Sequence, residues 1–492
     1  MASDVEAWRP RYHYTPARHW MSDPNGLVWL NGEYHLFYQH NPKAIEWGHM
    51  SWGHAVSRDL LHWHELPVAI PENARVSIYS GSTVWDATNS SGLGTAEQPP
   101  LVAVYTGCLR RLEGGQAQEL AHSLDAGRSF TPYLGNPVLD LGLRDFRDPK
   151  VFWQAPSSRW VMVVVLPDDH QILFYGSTSL REWQRLSSFG PAGEAVGIWE
   201  CPDLIEVPVE TEGNAEPPVT RWLLKVDTFS GHPGGTGAQY FVGYFDGSRF
   251  IEDEPGGAPQ WADHGSDFYA ALSFNNLPAS PTRPVWLGWM GNHRYAANVP
   301  TSPWRGAMSL PRELSLRRCD GRWRLVQRPL PAIAQWRASE VALAAQQLND
   351  KVQPLPVRGN ALELHFSIEA IAALEAGVEV LASPSGERTR VGYDARRQAV
   401  FIDRTRSGTL PDDPTFAGRR HASATAPSAE QPLRFQVFID ASSVEVFADD
   451  GVAVLSEQVF PGTHSTGVSL YALGGSACFG GTTVWPLASP NV

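Results

Sequence analysis

The chain has 492 residues, 42% of them hydrophobic, enough for an extensive interior and too many for one ordinary compact core. Its 52 acidic against 39 basic residues leave a formal charge of −13, which argues against nucleic acid as a partner and suits a protein acting on neutral material. Four scattered cysteines, Cys108, Cys201, Cys319 and Cys478, lack CxxC spacing, so neither a zinc site nor a disulfide framework is expected.

The first residues, Met-Ala-Ser-Asp-Val-Glu, carry no basic start and no apolar run, and no later stretch is long enough to span a bilayer. No membrane partner is expected. As written the chain reads as cytoplasmic, with a secreted or periplasmic location the alternative for a trimmed N-terminus.

Further on, 19 tryptophans, 44 glycines and 39 prolines punctuate many short runs of β-branched and aromatic residues, the texture of an all-β protein. Leu27-Val28-Trp29-Leu30 and Tyr34-His35-Leu36-Phe37-Tyr38 flank Asn31-Gly32, a pair that accepts the positive φ angles of a type I′ hairpin. A degenerate turn then recurs about every 60 positions: residues 57–63, 123–130, 177–183 and 245–250, each ending in an aromatic. Such a repeat fits the outer hairpin of successive four-stranded propeller blades, although Asp/Ser turns before an aromatic occur in any β protein. With Val285-Trp286-Leu287-Gly288-Trp289 as a further strand, the count is five blades over residues 10–328.

Pro329, Pro331 and the Ala-rich stretch after them read as a linker, residues 329–347, with room for one helix. A second β region, 348–492, contains Leu362-Glu363-Leu364-His365-Phe366, Ala399-Val400-Phe401-Ile402 and Phe435-Gln436-Val437-Phe438-Ile439, strands of a half-exposed β-sandwich. Gly418 to Gln431, mostly small and polar, reads as a loop.

Three acids stand in unusual company. Asp23 lies in Trp20-Met21-Ser22-Asp23-Pro24-Asn25-Gly26, foremost a turn signal. Asp148 follows a cation in Phe146-Arg147-Asp148-Pro149, where a local ion pair is the plain alternative. Glu200 sits in Trp199-Glu200-Cys201-Pro202-Asp203, where a satisfied edge residue is the plain alternative, but apolar neighbours also raise a carboxyl pKa as a general acid needs. Glycosidic cleavage requires one carboxylic acid to protonate the leaving oxygen and one carboxylate to attack or to activate water. Strands that open propeller blades converge on a central channel, so three acids distant in sequence can meet there.

The set of motifs, with Phe37-Tyr38-Gln39-His40-Asn41-Pro42, Trp47-Gly48 and Tyr79-Ser80-Gly81-Ser82 added, resembles glycoside hydrolase family 32, the invertase, levanase and exo-inulinase family, over nearly the whole chain. The resemblance implies a five-bladed β-propeller followed by a C-terminal β-sandwich and a retaining β-fructosidase needing no metal or cofactor. Asp23 would be the nucleophile, Glu200 the acid/base and Asp148 the transition-state stabiliser, the carboxyls of Asp23 and Glu200 lying about 5–5.5 Å apart. Ser22, Gln39, Trp47, Tyr79, Ser82, Arg147 and Trp289 would surround the fructosyl ring.

Pro233 to Gly243, Asp267-Phe268-Tyr269-Ala270 and Pro300 to Arg305 are similar to the bacterial levanase and exo-inulinase branch, which implies exo-acting hydrolysis of levan, inulin-type fructans and sucrose. Asp440 to Phe447 is similar to the sandwich signature of the family, implying a packing domain. Ser22 stands where many members have asparagine, which favours a fructosyltransferase as the rival reading. A non-catalytic fructan-binding module and the related five-bladed enzymes of arabinose polymers are more distant rivals.

Overall fold

The computed structural model describes residues 5–109, 114–210, 219–278 and 283–488. Five antiparallel sheets of four main strands each follow one another along the chain. Their innermost strands are His19–Leu30, Val76–Trp85, Arg147–Gln154, Trp199–Pro208 and Tyr269–Ser273. Each packs on the next, and the fifth returns to the first, so the sheets are the blades of a closed five-bladed propeller.

The local chemistry explains the blades. Asn31 and Gly32, with φ of +51° and +86°, make the first hairpin as a type I′ turn. The four recurring turns all join third to fourth strands. In three of them an aspartate side chain accepts from backbone amides ahead of it: Asp59 from Leu61 and His62, Asp125 from Ser129, Asp246 from Ser248 and Arg249; in the fourth the Ser177 hydroxyl accepts from Ser179 and Leu180. Closure comes from Trp304–Arg305, which pairs in parallel with His19 and Trp20. Gly306 follows at φ +93°, where a Cβ would sit 2.0 Å from the Met21 carbonyl oxygen, so only glycine permits this approach.

The second domain is a twelve-stranded sheet folded over itself as a β-sandwich. Its long strand Gly467–Phe479 serves both halves, pairing with Glu375–Ala382 through residues 467–473 and with Leu362–Ile371 through 477–479. Side chains such as Leu364, Val378, Val391, Val437, Val446 and Leu470 fill the space between the layers.

Two readings of the second half change. Within 329–347 a short 3-10 helix covers Pro331–Trp336, but Val341–Leu343 and the strand from Gln346 already pair with Thr482–Pro486 and Gly467–Phe479. In the segment expected as a loop, Arg419–Ser423 is a strand on Ala399–Arg406. It lies at one end of the strand order, where polar side chains are tolerated, and its Arg419 guanidinium covers the Phe401 ring at 3.5 Å. All four cysteines are free thiols.

Buried charges join the domains. Arg312 of the propeller bonds Asp263 at 3.0 Å on its own side and Glu445 of the sandwich at 2.6 Å. His13 lies between Asp440 and Glu445, 2.8 Å from each. Burial alone would lower the His13 pKa, but the hydrogen bonds to Asp440 and Glu445 outweigh it and raise it to about 9. The stabilisation from this raised pKa is complete below the ordinary value of 6.5 and is lost as pH climbs through about 9. Arg312→Met leaves Asp263 buried without its cation and Glu445 with His13 as its remaining cation, and is expected to cost about 3–5 kcal/mol in denaturant unfolding. A cost below about 1 kcal/mol would show that the domains do not depend on this pair.

Candidate active site

Every innermost strand carries an extra residue relative to its partner, between Met21 and Pro24, Ile78 and Gly81, Arg147 and Lys150, Glu200 and Asp203, and Tyr269 and Leu272, and the first strand bulges again between Asn25 and Val28. A bulge breaks the alternation of side chains and re-aims a residue out of the sheet. At the first five of these places stand Asp23, Ser80, Asp148, Glu200 and Tyr269. Asp148, Cys201 and Ala270 have left-handed φ values of +64°, +47° and +54°, strain that L-residues accept only where surrounding contacts hold it.

Asp23, Asp148 and Glu200 line one cavity of about 260 Å³, with Ser22, Gln39, Trp47, Tyr79, Ser80, Gln116, Asp145, Arg147 and His293. The Ser80 hydroxyl donates to Asp23 Oδ2 at 2.6 Å, and the Tyr269 hydroxyl to Glu200 Oε2 at 2.6 Å. Arg147 donates from Nη2 to Glu200 Oε1 at 3.0 Å and from Nη1 to Asp145 at 2.8 Å and Gln116 at 3.2 Å. Asp148 accepts from the Cys201 amide at 2.9 Å, and the Cys201 thiol lies 3.6 Å from Asp148 and 3.8 Å from Asp23. Arg147 approaches Asp148 only to 3.9 Å, so its main partner is the glutamate of the next blade rather than its chain neighbour.

These contacts reverse the expected pKa of Glu200. Burial pushes its carboxyl up, but Arg147, then His293, together with hydrogen bonds from Tyr269 and Arg147, hold it below the usual value. The upward shift falls on Asp148 instead: burial, opposed by Arg147 and reinforced by the charges of Glu200 and Asp23, raises it to about 7. Apolar chain neighbours of Glu200 were a poor guide because its carboxyl faces a guanidinium from another blade.

Under the cavity lies a layer of buried ions. Lys225 Nζ donates to the carbonyls of Cys201 at 3.0 Å and Ala271 at 2.9 Å and pairs with Asp227, so it ties together the two bulges that present Glu200 and Tyr269. Burial raises Asp227 to about 8, with Lys225 opposing and the charges of Asp23 and Glu200 adding. Lys150 holds the Ser273 carbonyl at 2.5 Å and Asp203 at 3.6 Å in the same way.

Of the other expected residues, Ser22, Gln39, Trp47, Tyr79 and Arg147 reach the cavity. Ser22 accepts from Trp20 Nε1 at 3.2 Å. Gln39 spends both amide hydrogens on Asn25 and the Ile78 carbonyl, which leaves its own carbonyl oxygen to accept from a ligand. Trp47 is 56% exposed at the rim, edge-on to Tyr79.

Ser82 and Trp289 do not reach it. The Ser82 hydroxyl donates to the Pro149 carbonyl at 2.9 Å and accepts from the Val151 amide at 2.8 Å, stitching blade two to blade three. Trp289 is buried behind the wall, edge-on to Tyr269 and His293. Ser80, inside the quoted motif, and Tyr269, inside Asp267-Phe268-Tyr269-Ala270, take the places nearest Asp23 and Glu200. Gln116, Asp145 and His293 carried no pattern that would have marked them.

Comparison with known proteins agrees with this architecture. The family models for the glycosyl hydrolases family 32 N-terminal domain and C terminal match residues 13–329 and 333–486. The chain is 42% identical over 500 residues to a levanase of Bacillus subtilis (strain 168), covering 98% of this chain and 71% of that one. It is 38% identical to an extracellular exo-inulinase of Aspergillus awamori, covering 96% and 93%. The crystal structure of exo-inulinase from Aspergillus awamori superposes with a TM-score of 0.91 at 37% identity, covering 98% of this chain and 99% of that one. For the beta-fructofuranosidase of Schwanniomyces occidentalis complexed with fructosyl-erythritol the TM-score is 0.88 at 29% identity, with 99% of each chain covered. A propeller with its acids gathered on inner-strand bulges, a sandwich behind it and family models spanning both domains together show that the chain is a glycoside hydrolase and belongs to family 32.

Proposed function

We propose that the protein is a retaining exo-β-fructosidase that removes terminal fructose from levan, inulin-type fructans and sucrose. The observation that carries this reading is the convergence of Asp23, Asp148 and Glu200, from three blades, on one small cavity. The relatives named levanase and exo-inulinase support fructans as the substrate class. A cavity of about 260 Å³ is below the roughly 300–1,000 Å³ of drug-sized ligand sites and suits a single terminal sugar, hence exo attack.

In this mechanism the Asp23 carboxylate attacks the anomeric carbon of fructose while the bond to the leaving oxygen breaks and Glu200 gives that oxygen its proton. Water then attacks the same carbon, Glu200 takes the proton, and the ester bond to Asp23 breaks. Ser80 orients the nucleophile, and Tyr269 and Arg147 orient the acid. Asp148, fixed by the Cys201 amide, holds fructose hydroxyls as positive charge develops on the ring.

The acid step requires one proton within the carboxyl set. Asp148, raised to about 7, keeps that proton in the empty site and must pass it to Glu200 before the leaving oxygen can be protonated, so kcat/KM is expected to fall on the basic side with an apparent pKa near 7. Asp148→Asn should move this limb to lower pH, since the proton must then rest on Glu200 itself, which, despite its burial, Arg147 and His293 hold below the usual carboxyl range. An unchanged limb would separate the profile from these groups.

Incubation with sucrose, inulin and levan separately, resolving products at early times, tests the reading: fructose should be the first product from each. Arabinose release from arabinose polymers with no fructose from any of the three would overturn it. Ser22, shorter than asparagine and facing the cavity beside Asp23, favours transfer as the second reading. Absence of fructo-oligosaccharides at any sucrose concentration would remove that reading.

A further inference from the structure

Beside the cavity an aromatic row leads outward from Glu200. Tyr269 donates to Glu200, His293 packs edge-on against Tyr269 with ring centres 4.9 Å apart, and Phe229 stacks on His293 at 4.7 Å and 25°. Phe229 ends the row with 40% of its surface exposed. It sits just past Thr228, the partner of Trp199 in the blade-four register, and its amide donates to the Ile198 carbonyl at 3.0 Å. The backbone thus fixes the ring one step beyond the strand end that presents Glu200. His293 lines the cavity, whereas Phe229 stands outside it.

We propose that Phe229, backed by His293, is the platform for the sugar ring next to the terminal fructose, the one that departs. This rests on the reading of Glu200 as the acid, because the leaving oxygen must lie within reach of its carboxyl and the ring attached to that oxygen must lie outward from it. A sugar ring offers an apolar C–H face, and an aromatic face held rigid by stacking covers it at little entropic cost. An exposed phenylalanine alone is unremarkable in a protein surface. What distinguishes Phe229 is its fixed stacking on a cavity residue that itself packs on the hydrogen-bond partner of Glu200. The platform recognises ring shape rather than one linkage, so it serves glucose in sucrose and fructose in fructans alike.

Phe229→Ala and Phe229→Trp test this with two substrates that share the fructosyl group: 1-kestose, whose leaving group is a sugar, and methyl β-D-fructofuranoside, whose leaving group has no ring. Phe229→Ala should lower kcat/KM for 1-kestose about five- to tenfold, mainly through KM, and change the methyl fructoside less than about twofold. Phe229→Trp should keep the preference for the sugar leaving group. Equal losses on both substrates, or none on either, would overturn the platform while leaving the β-fructosidase reading intact. A parent protein that cleaves neither fructoside would instead overturn that reading, and the platform with it.

Discussion

Asp23→Asn is expected to lower kcat on sucrose and levan by at least about 10,000-fold, with a much smaller change in KM. The amide keeps the shape of the carboxylate and can still accept from Ser80, whose hydroxyl lies 2.6 Å from Asp23 Oδ2. What it loses is the negative oxygen that must bond to the anomeric carbon. The groups proposed to hold the sugar, Gln39, Asp148 and Arg147, are left in place, so the loss would belong to the bond-forming step. Steady-state kinetics with both substrates and thermal melting of the variant check this together. An unchanged melting temperature with more than about a tenth of the activity would remove Asp23 from the nucleophile role.

Glu200→Ala should lower kcat/KM on sucrose and fructans by about 100- to 10,000-fold, the usual weight of general acid–base catalysis. The loss should depend on the leaving group. β-D-fructofuranosyl fluoride departs without a proton, so its first step should survive nearly intact. Hydrolysis of the resulting fructosyl-enzyme then lacks its base, and azide, which needs none, should restore turnover and yield the β-fructosyl azide. Equal loss on fluoride and sucrose with no azide rescue would assign the acid/base elsewhere. Arg147 and Tyr269 both bond Glu200, so part of any loss could come from their release; the fluoride arm isolates the proton transfer.

The propeller and sandwich were legible because turn chemistry is local. Asn31-Gly32 and the aspartate-capped outer turns fix their own backbone and so advertise the blades. The acids were legible because each sits in a motif at the start of an inner strand. Less visible were the bulges, which depend on the register of the partner strand rather than on the residues in the bulge. The resemblance points to Ser82, but the bulge presents Ser80: in a regular strand the two would share a face, and the extra residue between Ile78 and Gly81 separates them. His293 and Asp145 come from loops whose position is set by the whole ring. The pKa order of Glu200 and Asp148 follows from Arg147 reaching across blades, a contact no local pattern encodes.

A trapped covalent intermediate would identify the nucleophile. Glu200→Gln should form the fructosyl-enzyme from β-D-fructofuranosyl fluoride faster than it can hydrolyse it, and peptide mass spectrometry should find one fructosyl unit on the peptide containing Asp23. A fructosyl group on a different residue, or steady release of fructose from the fluoride with no protein-bound sugar at any time, would contradict Asp23 as that nucleophile.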